Sequence, residues 1–406
     1  MSRRAGFWLF AGTLLAFMAA AGAPSPLYVV YQARWGFSPA TLTAVFAVYA
    51  LALLCALLTV GGLSDFVGRR PVLVVALLLE AVAMAMFLTA GGAGHLLLAR
   101  ALQGLATGAA AGAISAGLVD LQPAPGSRLG SLLNSVAPTA GLAAGALGTG
   151  LLVQYAPAPT ALVFALLTVV FLVLACAVAF LPDTVEPRPG ALASLRPKVS
   201  VPTGARGVFL AALPCLVATW ALGGLYLSLG PSLMAGVLHV GDHFVGGLVV
   251  TALTGAGAVA STVVRDLPPR RVMIIGSATL AAGIAVTLAA LAVSSVLLFF
   301  AGTIVAGSGF GTSFLGAFRS LATLAAPSER AELFAAVYLA SYLAFSIPAV
   351  LAGKAVPAFG LEPTALTYGV LVIALALLSA TITATRRPSL AHRTPPAPGE
   401  RTIRSL

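Results

Sequence analysis

The sequence predicts an all-helical integral membrane protein with twelve transmembrane helices in two pseudo-symmetric six-helix halves. Of the 406 residues, 60% are apolar and only 8% are charged, whereas roughly a quarter of the residues in a soluble protein are charged. The apolar residues form unbroken runs of about twenty, which is long enough to cross about 30 Å of hydrocarbon. Such runs lack the alternation of a barrel strand, so the spanning elements are helices.

Breaks between the apolar runs divide the chain into twelve predicted helices and four regions. The helices lie near 7–30, 40–61, 71–91, 95–118, 131–154, 160–181, 208–230, 244–264, 272–292, 295–318, 332–353 and 364–385. The regions are an N-terminal six-helix bundle (1–181), a Pro-rich charged linker (182–207), a C-terminal six-helix bundle (208–385) and a basic, Pro-rich tail (386–406) that we expect to be disordered.

The first apolar run also has the outline of a secretory signal peptide, with a basic start and a small-residue triplet at 21–23. Pro24 would directly follow the cleavage point, and the apolar run continues to Val30. We therefore expect this segment to remain as the first transmembrane helix.

The distribution of basic residues predicts the orientation. All of the 22 Lys and Arg residues except Arg34, Arg100 and Lys354 lie on the side of both termini, which the positive-inside rule makes cytoplasmic. The excess of Arg over Lys and the abundance of Ala, Gly and Leu are typical of a GC-rich bacterial genome, so we expect a multi-pass protein of the bacterial inner (plasma) membrane.

Other function classes find little support in the sequence. The net charge of +11 is spread between apolar runs and forms no basic face for nucleic acid. The sequence has no Gly-Lys nucleotide loop, no metal-ligand cluster and no paired nucleophile and base. We therefore expect no cofactor, no bound metal and no enzymatic activity, and a monomer.

A charged stretch after the second helix recurs after the eighth, 201 residues later. The first copy holds Asp65, Arg69 and Arg70, and the second holds Asp266, Arg270 and Arg271.

A looser echo pairs Tyr28 in the first helix with Tyr226 in the seventh. Two six-helix repeats in parallel orientation are a transporter architecture, in which the binding site lies at the repeat interface near mid-membrane. Duplication therefore favours transport over a rigid bundle.

The first charged copy, GGLSDFVGRRPVL, resembles the signature loop between the second and third helices of the major facilitator superfamily. Phe66 stands where the family usually has a cation after the acid. Helix number, central linker and orientation also agree with that family. The signature positions are filled by Gly62, Asp65, Gly68, Arg69 and Arg70.

This resemblance implies that the loop is a conformational latch on the cytoplasmic side. Asp65 would dock at the start of helix eleven, near Ser328 to Ala331, because a helix N-terminus favours an anion. Arg69 would pair with Asp120 at the inner end of helix four. The alternative is that the two signature arginines merely follow the positive-inside rule. The second copy, with Asp266, would complete the latch.

A second stretch, LLLARALQGLATG, is similar to another family signature, filled by Arg100, Gln103 and Gly104. An arginine at bilayer depth costs about 2.5–3.5 kcal/mol on insertion scales, so its side chain should face the interior and have a partner. The resemblance implies that Arg100 lies by the central cavity, where it holds an anion or tunes a proton-carrying acid. The alternative is a guanidinium that reaches the outer headgroups near His95.

The fifth helix contains NSVAPTAGLAAG, a degraded match to an element associated with antiporters. Pro138 and Gly141 fit it, whereas Ala137 and Leu142 replace expected glycines. The match favours efflux only modestly.

Glu80 is the only acid well inside a predicted helix. Burial favours its protonated form and a nearby Arg100 favours the carboxylate, so this pair is the candidate for proton coupling. The alternatives are a structural Glu80–Arg100 salt bridge and a protonated Glu80 bonded to a backbone carbonyl.

The predicted substrate cavity combines aromatic and amide groups with apolar walls, which suits an amphiphilic organic molecule. Its candidate residues are Tyr28, Gln32, Arg100, Gln103, Asn134, Pro138, Trp220, Tyr226, Tyr338 and Tyr342. The leading hypothesis is efflux driven by the proton gradient. The alternatives are proton symport of a sugar or organic acid and a non-transporting receptor.

Overall fold

The computed structural model describes residues 2–124, 129–183, 185–323 and 329–386. Within these ranges lie twelve helices that are long and apolar enough to cross a membrane, so the predicted number of spans is confirmed. Spans 1 to 12 cover Arg3–Trp35, Pro39–Thr59, Arg69–Leu88, Ala93–Asp120, Leu129–Tyr155, Leu162–Ala179, Thr203–Gly236, His243–Val263, Pro269–Ala292, Val296–Ala322, Arg330–Phe359 and Leu361–Thr385. Two four-residue helices, Ser64–Val67 and Ala191–Ser194, lie between spans. Ser328 and the predicted tail beyond Arg386 lie outside the described residues.

Several spans are longer than predicted because their helices continue through proline. The sequence predicts that span 7 ends at residue 230, in front of Pro231, but the helix runs to Gly236. Span 11 likewise passes Pro357 and ends at Phe359. Neighbouring helices can satisfy the backbone groups that a proline frees inside a membrane protein, so proline does not end these spans.

Because the number of spans is even, the start of span 1 and the end of span 12 lie on the same face of the helical bundle. We call the face at which span 1 begins and span 12 ends the terminal face, and the opposite face the distal face. The sequence predicts that the terminal face is cytoplasmic.

Glycines let spans 2 and 4 approach closely. A Cβ atom on Gly104 would collide with the carbonyl oxygen of Tyr49, and one on Gly108 with that of Leu53. Small residues at such spacing are the usual means of close helix packing in membranes. The two spans therefore form a tight pair that positions the polar side chains of span 4.

The two halves touch each other at their distal ends. The Ser25 hydroxyl of span 1 donates a hydrogen bond to the Leu227 carbonyl of span 7. The His243 N–H at the start of span 8 donates to Gln154 Oε1 of span 5 at 3.0 Å. Span 11 packs against span 2 so closely that a Cβ atom on Gly353 would collide with the Thr43 side chain. The distal side is therefore closed in this structure.

Candidate functional site

A break in span 1 creates the most polar part of the interior. The span consists of two helices, Arg3–Gly22 and Pro24–Trp35, joined at Ala23. Pro24 has no N–H, so the Ala20 carbonyl four residues earlier loses its helical donor. Gln103 Nε2 of span 4 donates to that carbonyl at 2.9 Å. Span 4 thus supplies the hydrogen bond that proline removes.

Arg100, which lies about one helical turn before Gln103 on span 4, also donates a hydrogen bond to the break in span 1. Its Nη1 donates to the Ala21 carbonyl at 3.2 Å and to Gln103 Oε1 at 2.8 Å. Its Nε and Nη2 both donate to the Tyr28 hydroxyl, at 3.0 and 2.6 Å, and its guanidinium carbon lies 4.9 Å from the centre of the Tyr49 ring. Since Arg100 is only 1% exposed, the alternative in which it reaches the headgroups is wrong.

Glu80 of span 3 is fully buried beside this network. Its Oε1 accepts a hydrogen bond from Gln103 Nε2 at 3.1 Å, and its Oε2 lies 3.5 Å from the Thr107 hydroxyl. Within the described ranges no ion pair joins Glu80 to Arg100, because the Gln103 amide lies between them. The direct salt bridge considered from the sequence is therefore wrong. Glu80, Gln103, Arg100 and Tyr28 form a continuous chain, which we call the polar network.

The equivalent position in the C-terminal half is uncharged. The Tyr226 hydroxyl lies 3.0 Å from the Thr303 hydroxyl and donates to Thr287 Oγ1 at 3.4 Å. Tyr28 therefore meets a guanidinium in one half, whereas its echo Tyr226 meets two neutral hydroxyls in the other.

Several predicted cavity residues are buried inside their own half. Tyr28, Arg100, Gln103 and Tyr226 are all at most 3% exposed, and they line no open cavity in this conformation. The physical reason is that their polar atoms already satisfy groups of the same half. Gln32 lies near the distal end, where its Nε2 donates to the Phe37 carbonyl at 3.4 Å.

The structure brings three other predicted cavity residues together in the C-terminal half. The ring centroid of Trp220 lies 4.9 Å from that of Tyr342, and Tyr338 lies 6.3 Å from Tyr342. Four phenylalanines that the sequence analysis missed complete the group, and all seven side chains come from spans 7, 10 and 11. This aromatic cluster is Trp220, Phe314, Phe318, Phe334, Tyr338, Tyr342 and Phe345.

A signal for the missed rings was present in the sequence. Phe314 and Phe318 are four residues apart on span 10, and Phe334, Tyr338 and Tyr342 follow the same spacing on span 11. Residues four apart share one helix face, so each span carries an aromatic stripe. The stripes meet where Phe318 stacks on Phe334, with ring centroids 4.6 Å apart.

Asn134 and Pro138 lie on span 5, in the N-terminal half. Asn134 Nδ2 donates to the Ser115 carbonyl at 3.2 Å. Its buried Oδ1 accepts no hydrogen bond from any residue that the structure describes. That oxygen is available as an acceptor near the terminal face.

At the terminal face of the N-terminal half, two acids meet one buried arginine. Arg69 Nε donates to Asp120 Oδ2 at 2.6 Å, as the family resemblance implied. Its Nη1 lies 3.3 Å from Asp65 Oδ1, a contact that is an ion pair and not a directed hydrogen bond. Arg69 is 8% exposed, so it ties the signature loop to the end of span 4.

A third acid, which the sequence analysis did not assign, caps span 3. Asp183 Oδ1 accepts from the Arg69 N–H at 3.0 Å, and its Oδ2 accepts from the Arg70 N–H at 3.2 Å. The preceding Gly68 has φ of +101°, and a Cβ there would collide with the Asp183 carboxylate. Both facts require glycine at this signature position.

Comparison with known proteins decides the family. A family model described as Major Facilitator Superfamily matches residues 9–267. The chain belongs to the major facilitator superfamily. A solved structure of the nucleoside transporter NupG, in a mutant form, is similar in fold to this superfamily member, with a TM-score of 0.69 at 13% sequence identity over 93% of this chain and 99% of that chain. No curated protein matches the chain. The protein is thus a multi-pass membrane protein and a secondary transporter of small molecules.

The signature does not work in the same way in both halves of this facilitator. Arg270 donates to the carbonyls of Thr383, Ala384 and Arg386 at the end of span 12, while Asp266 lies 3.4 Å from its neighbour Arg265. In this conformation the second copy does not repeat the acid–arginine contact of the first, and its part in the latch stays a prediction. Span 4 ends at Asp120, whereas span 10 ends at Ala322 and has Arg319 in its last turn, so the end of span 10 offers Arg270 no acid. Arg271 is exposed.

Two further latch residues remain without structural support here. Gly62 is exposed, and a Cβ atom on it would meet nothing within 4 Å, so no close approach requires a glycine there. The predicted docking point of Asp65 begins at Ser328, which is not described, and Asp65 pairs with Arg69 instead. Its docking at span 11 stays a prediction for the distal-open conformation.

We expect Asp65→Asn to reduce the initial rate of transport roughly tenfold, within the typical range of conformational coupling. Stability should change little, because the Asp65 side chain is 49% exposed and such pairs contribute at most about 1 kcal/mol. Asp120→Asn is the matched variant, since it breaks the 2.6 Å bond to buried Arg69 and should lower the thermal unfolding midpoint as well. Unchanged initial rates for Asp65→Asn would contradict the latch.

Proposed function

We propose that this transporter exports an amphiphilic organic compound containing an aromatic ring in exchange for protons. The observation that carries the proposal is a chemical difference between the two halves. The N-terminal half buries the polar network with its single carboxylic acid, and the C-terminal half gathers seven aromatic side chains. One half is equipped for a proton and the other for a hydrophobic ligand.

The surroundings of Glu80 support a proton-binding role. Its contacts in the closed network are the neutral side chains of Gln103 and Thr107, and burying a carboxylate charge among neutral donors costs several kcal/mol. The acid can therefore lose its proton only when water or a cation reaches it. Gln103 and Arg100 hold span 4 against the break in span 1 through hydrogen bonds to the carbonyls of Ala20 and Ala21. Separation of these two spans would give water access to Glu80.

The aromatic cluster supports the substrate class. It extends from Trp220, in the middle of span 7, to Phe318 and Phe334 near the terminal ends of their spans. Aromatic rings offer large apolar surfaces with preferred stacking geometries, and the phenolic hydroxyls of Tyr338 and Tyr342 can orient a polar group. All seven side chains of the cluster are aromatic and uncharged, which favours a ligand without strong charge.

Uptake by proton symport is the second candidate. Aromatic rings also suit a nucleobase, and the similar fold belongs to a nucleoside transporter. The match of span 5 to the antiporter element, through Pro138 and Gly141, favours efflux. Nucleosides, sugars and organic acids therefore belong in the same assay as drugs and dyes.

The decisive experiment uses inside-out vesicles with an imposed proton gradient and a pH-sensitive dye. We expect one class of amphiphilic aromatic compound to collapse the gradient in vesicles that contain the protein and not in control vesicles. Collapse only with sugars or nucleosides, and in the opposite gradient, would replace efflux with symport. No response across the panel from folded protein would contradict proton coupling.

We expect Trp220→Ala to weaken binding of a transported aromatic compound by roughly thirtyfold, since buried aromatic anchors contribute about 2 kcal/mol or more. Trp220 contacts Phe314, Tyr342 and Phe345 at ring distances of 4.9–5.5 Å, so it is the centre of the cluster. Trp220→Phe should retain most of the affinity. Trp8→Ala is the control, because Trp8 is 59% exposed on the outside of span 1. Equal affinities of all three variants, measured by equilibrium binding, would place the substrate elsewhere.

A further inference from the structure

We propose that linker residues 185–190 dock on the signature loop and thereby favour the conformation in which the distal side is closed. Phe66 of the loop and Arg188 of the linker make the contact on which this docking depends. The inference rests on the alternating access of the proposed function, and it assigns a conformational role to a segment that otherwise only connects the halves.

The linker holds Phe66 through its backbone and its ring. The Arg188 N–H donates to the Phe66 carbonyl at 2.8 Å, and the Arg188 guanidinium carbon lies 4.8 Å from the ring centroid. Gly190, with φ of +115°, approaches so closely that a Cβ atom would lie 3.0 Å from a ring carbon. The Phe66 ring thus contacts the Arg188 guanidinium and the backbone of Gly190, and this close approach is possible because glycine has no side chain.

Phe66 is also the position at which the signature departs from its family pattern, in which a cation follows the acid. Here the cation is Arg188, 122 positions further along the chain. A guanidinium over an aromatic face is attracted by the ring quadrupole. The linker therefore places a positive charge beside Phe66, the position at which the family usually has a cation.

The other end of the linker is fixed to the C-terminal half. The Ser200 N–H donates to the Glu332 carbonyl at 3.5 Å, and Val201 packs against a buried cluster that includes Leu333 and Val337. Between the two anchors lies the short helix Ala191–Ser194.

Docking of the linker on the signature loop restricts Asp65, which is predicted to bind the start of span 11 in the distal-open conformation. Asp65 and Phe66 are neighbours in the four-residue helix Ser64–Val67. While Arg188 holds Phe66 and Arg69 pairs with Asp65, this helix is fixed to the N-terminal half. Asp65 can reach the start of span 11 only if the contact with Arg188 yields. Loss of the contact should therefore favour the distal-open conformation.

The test measures distal opening without any substrate. Ser25→Cys is introduced into protein whose Cys55, Cys176 and Cys215 have been replaced, and its reaction with a fluorescent maleimide is followed in detergent. Ser25 is 1% exposed in the distal-closed structure, so labelling reports opening. We expect Arg188→Ala to raise the labelling rate about two- to fivefold, the factor that corresponds to one cation–π contact. Arg188→Lys should raise it less.

Two further variants make the result specific. Phe66→Leu should match Arg188→Ala, and the double variant should label no faster than either single one, because both remove the same contact. Arg196→Ala removes an equal charge from the same linker and should leave the rate unchanged. Equal rates for Arg188→Ala and Arg196→Ala, or multiplying effects in the double variant, would overturn the inference. Absence of labelling in every folded variant, with full labelling after unfolding, would instead contradict alternating access itself.

Discussion

Arg100→Met should both destabilise the transporter and abolish transport. Methionine has similar length and retains the apolar contacts, but it removes the donors that serve Tyr28, Ala21 and Gln103. Leaving a buried neutral acceptor unsatisfied costs about 1–3 kcal/mol, and this substitution leaves three such partners. A thermal unfolding scan in detergent should show a clearly lowered midpoint, and uptake into proteoliposomes should fall to background.

Arg100→Lys separates charge from geometry. A lysine keeps the positive charge but not the planar fork that reaches three partners at once, so we expect an intermediate midpoint and little transport. A Met variant with the wild-type midpoint would show that the hydrogen bonds of Arg100 contribute nothing to stability.

A substitution of Pro24 can test whether Gln103 replaces the backbone hydrogen bond that this proline removes. Gln103→Leu should cost about 1–3 kcal/mol, because it leaves the Ala20 carbonyl unsatisfied. In a Pro24→Ala background the restored backbone N–H can bond that carbonyl, so the same substitution should cost less. Equal losses in both backgrounds would contradict the idea that span 4 replaces the hydrogen bond removed by Pro24.

The sequence was sufficient to predict the spans, because each apolar run must cross the membrane as a helix whatever its neighbours are. The contact of Arg69 with Asp120 was also predictable, since the family resemblance implies that the first signature arginine pairs with an acid at the inner end of span 4. The ends of spans 7 and 11 were not, because helix packing decides whether a chain continues through Pro231 or Pro357.

The sequence predicted which residues belong to the candidate site better than it predicted how they contact one another. Glu80 was identified as an acid inside a predicted helix, and Arg100 and Gln103 were identified from the family resemblance. The insertion of Gln103 between the other two depends on side-chain directions that no sequence pattern specifies. The aromatic stripes of spans 10 and 11 were visible as spacing four, yet their meeting at Phe318 and Phe334 depends on how the helices pack. The Phe66–Arg188 contact joins residues distant in sequence and leaves no periodic signal.

Glu80→Gln should abolish gradient-driven transport while preserving the fold. The amide is nearly isosteric with the acid and retains an oxygen that can accept the bond from Gln103 Nε2, which is 3.1 Å long in the native protein. It cannot release a proton. We expect dye measurements in vesicles to show no proton flux on addition of substrate, with rates at least roughly tenfold below wild type, and a thermal midpoint close to that of wild type.

Counterflow distinguishes loss of coupling from loss of binding. With labelled substrate outside and unlabelled substrate inside, a transporter whose acid is permanently neutral can still exchange one molecule for another, because exchange needs no net proton movement. Glu80→Gln should therefore retain exchange, whereas Trp220→Ala should lose it at low substrate concentration. Glu362→Gln, which changes an acid at the distal start of span 12, is the control for the general effect of removing a carboxylate. Glu80 is the only acid in the middle of a described span. Full gradient-driven transport by Glu80→Gln would nevertheless remove it from the proton pathway and would show that another group carries the proton.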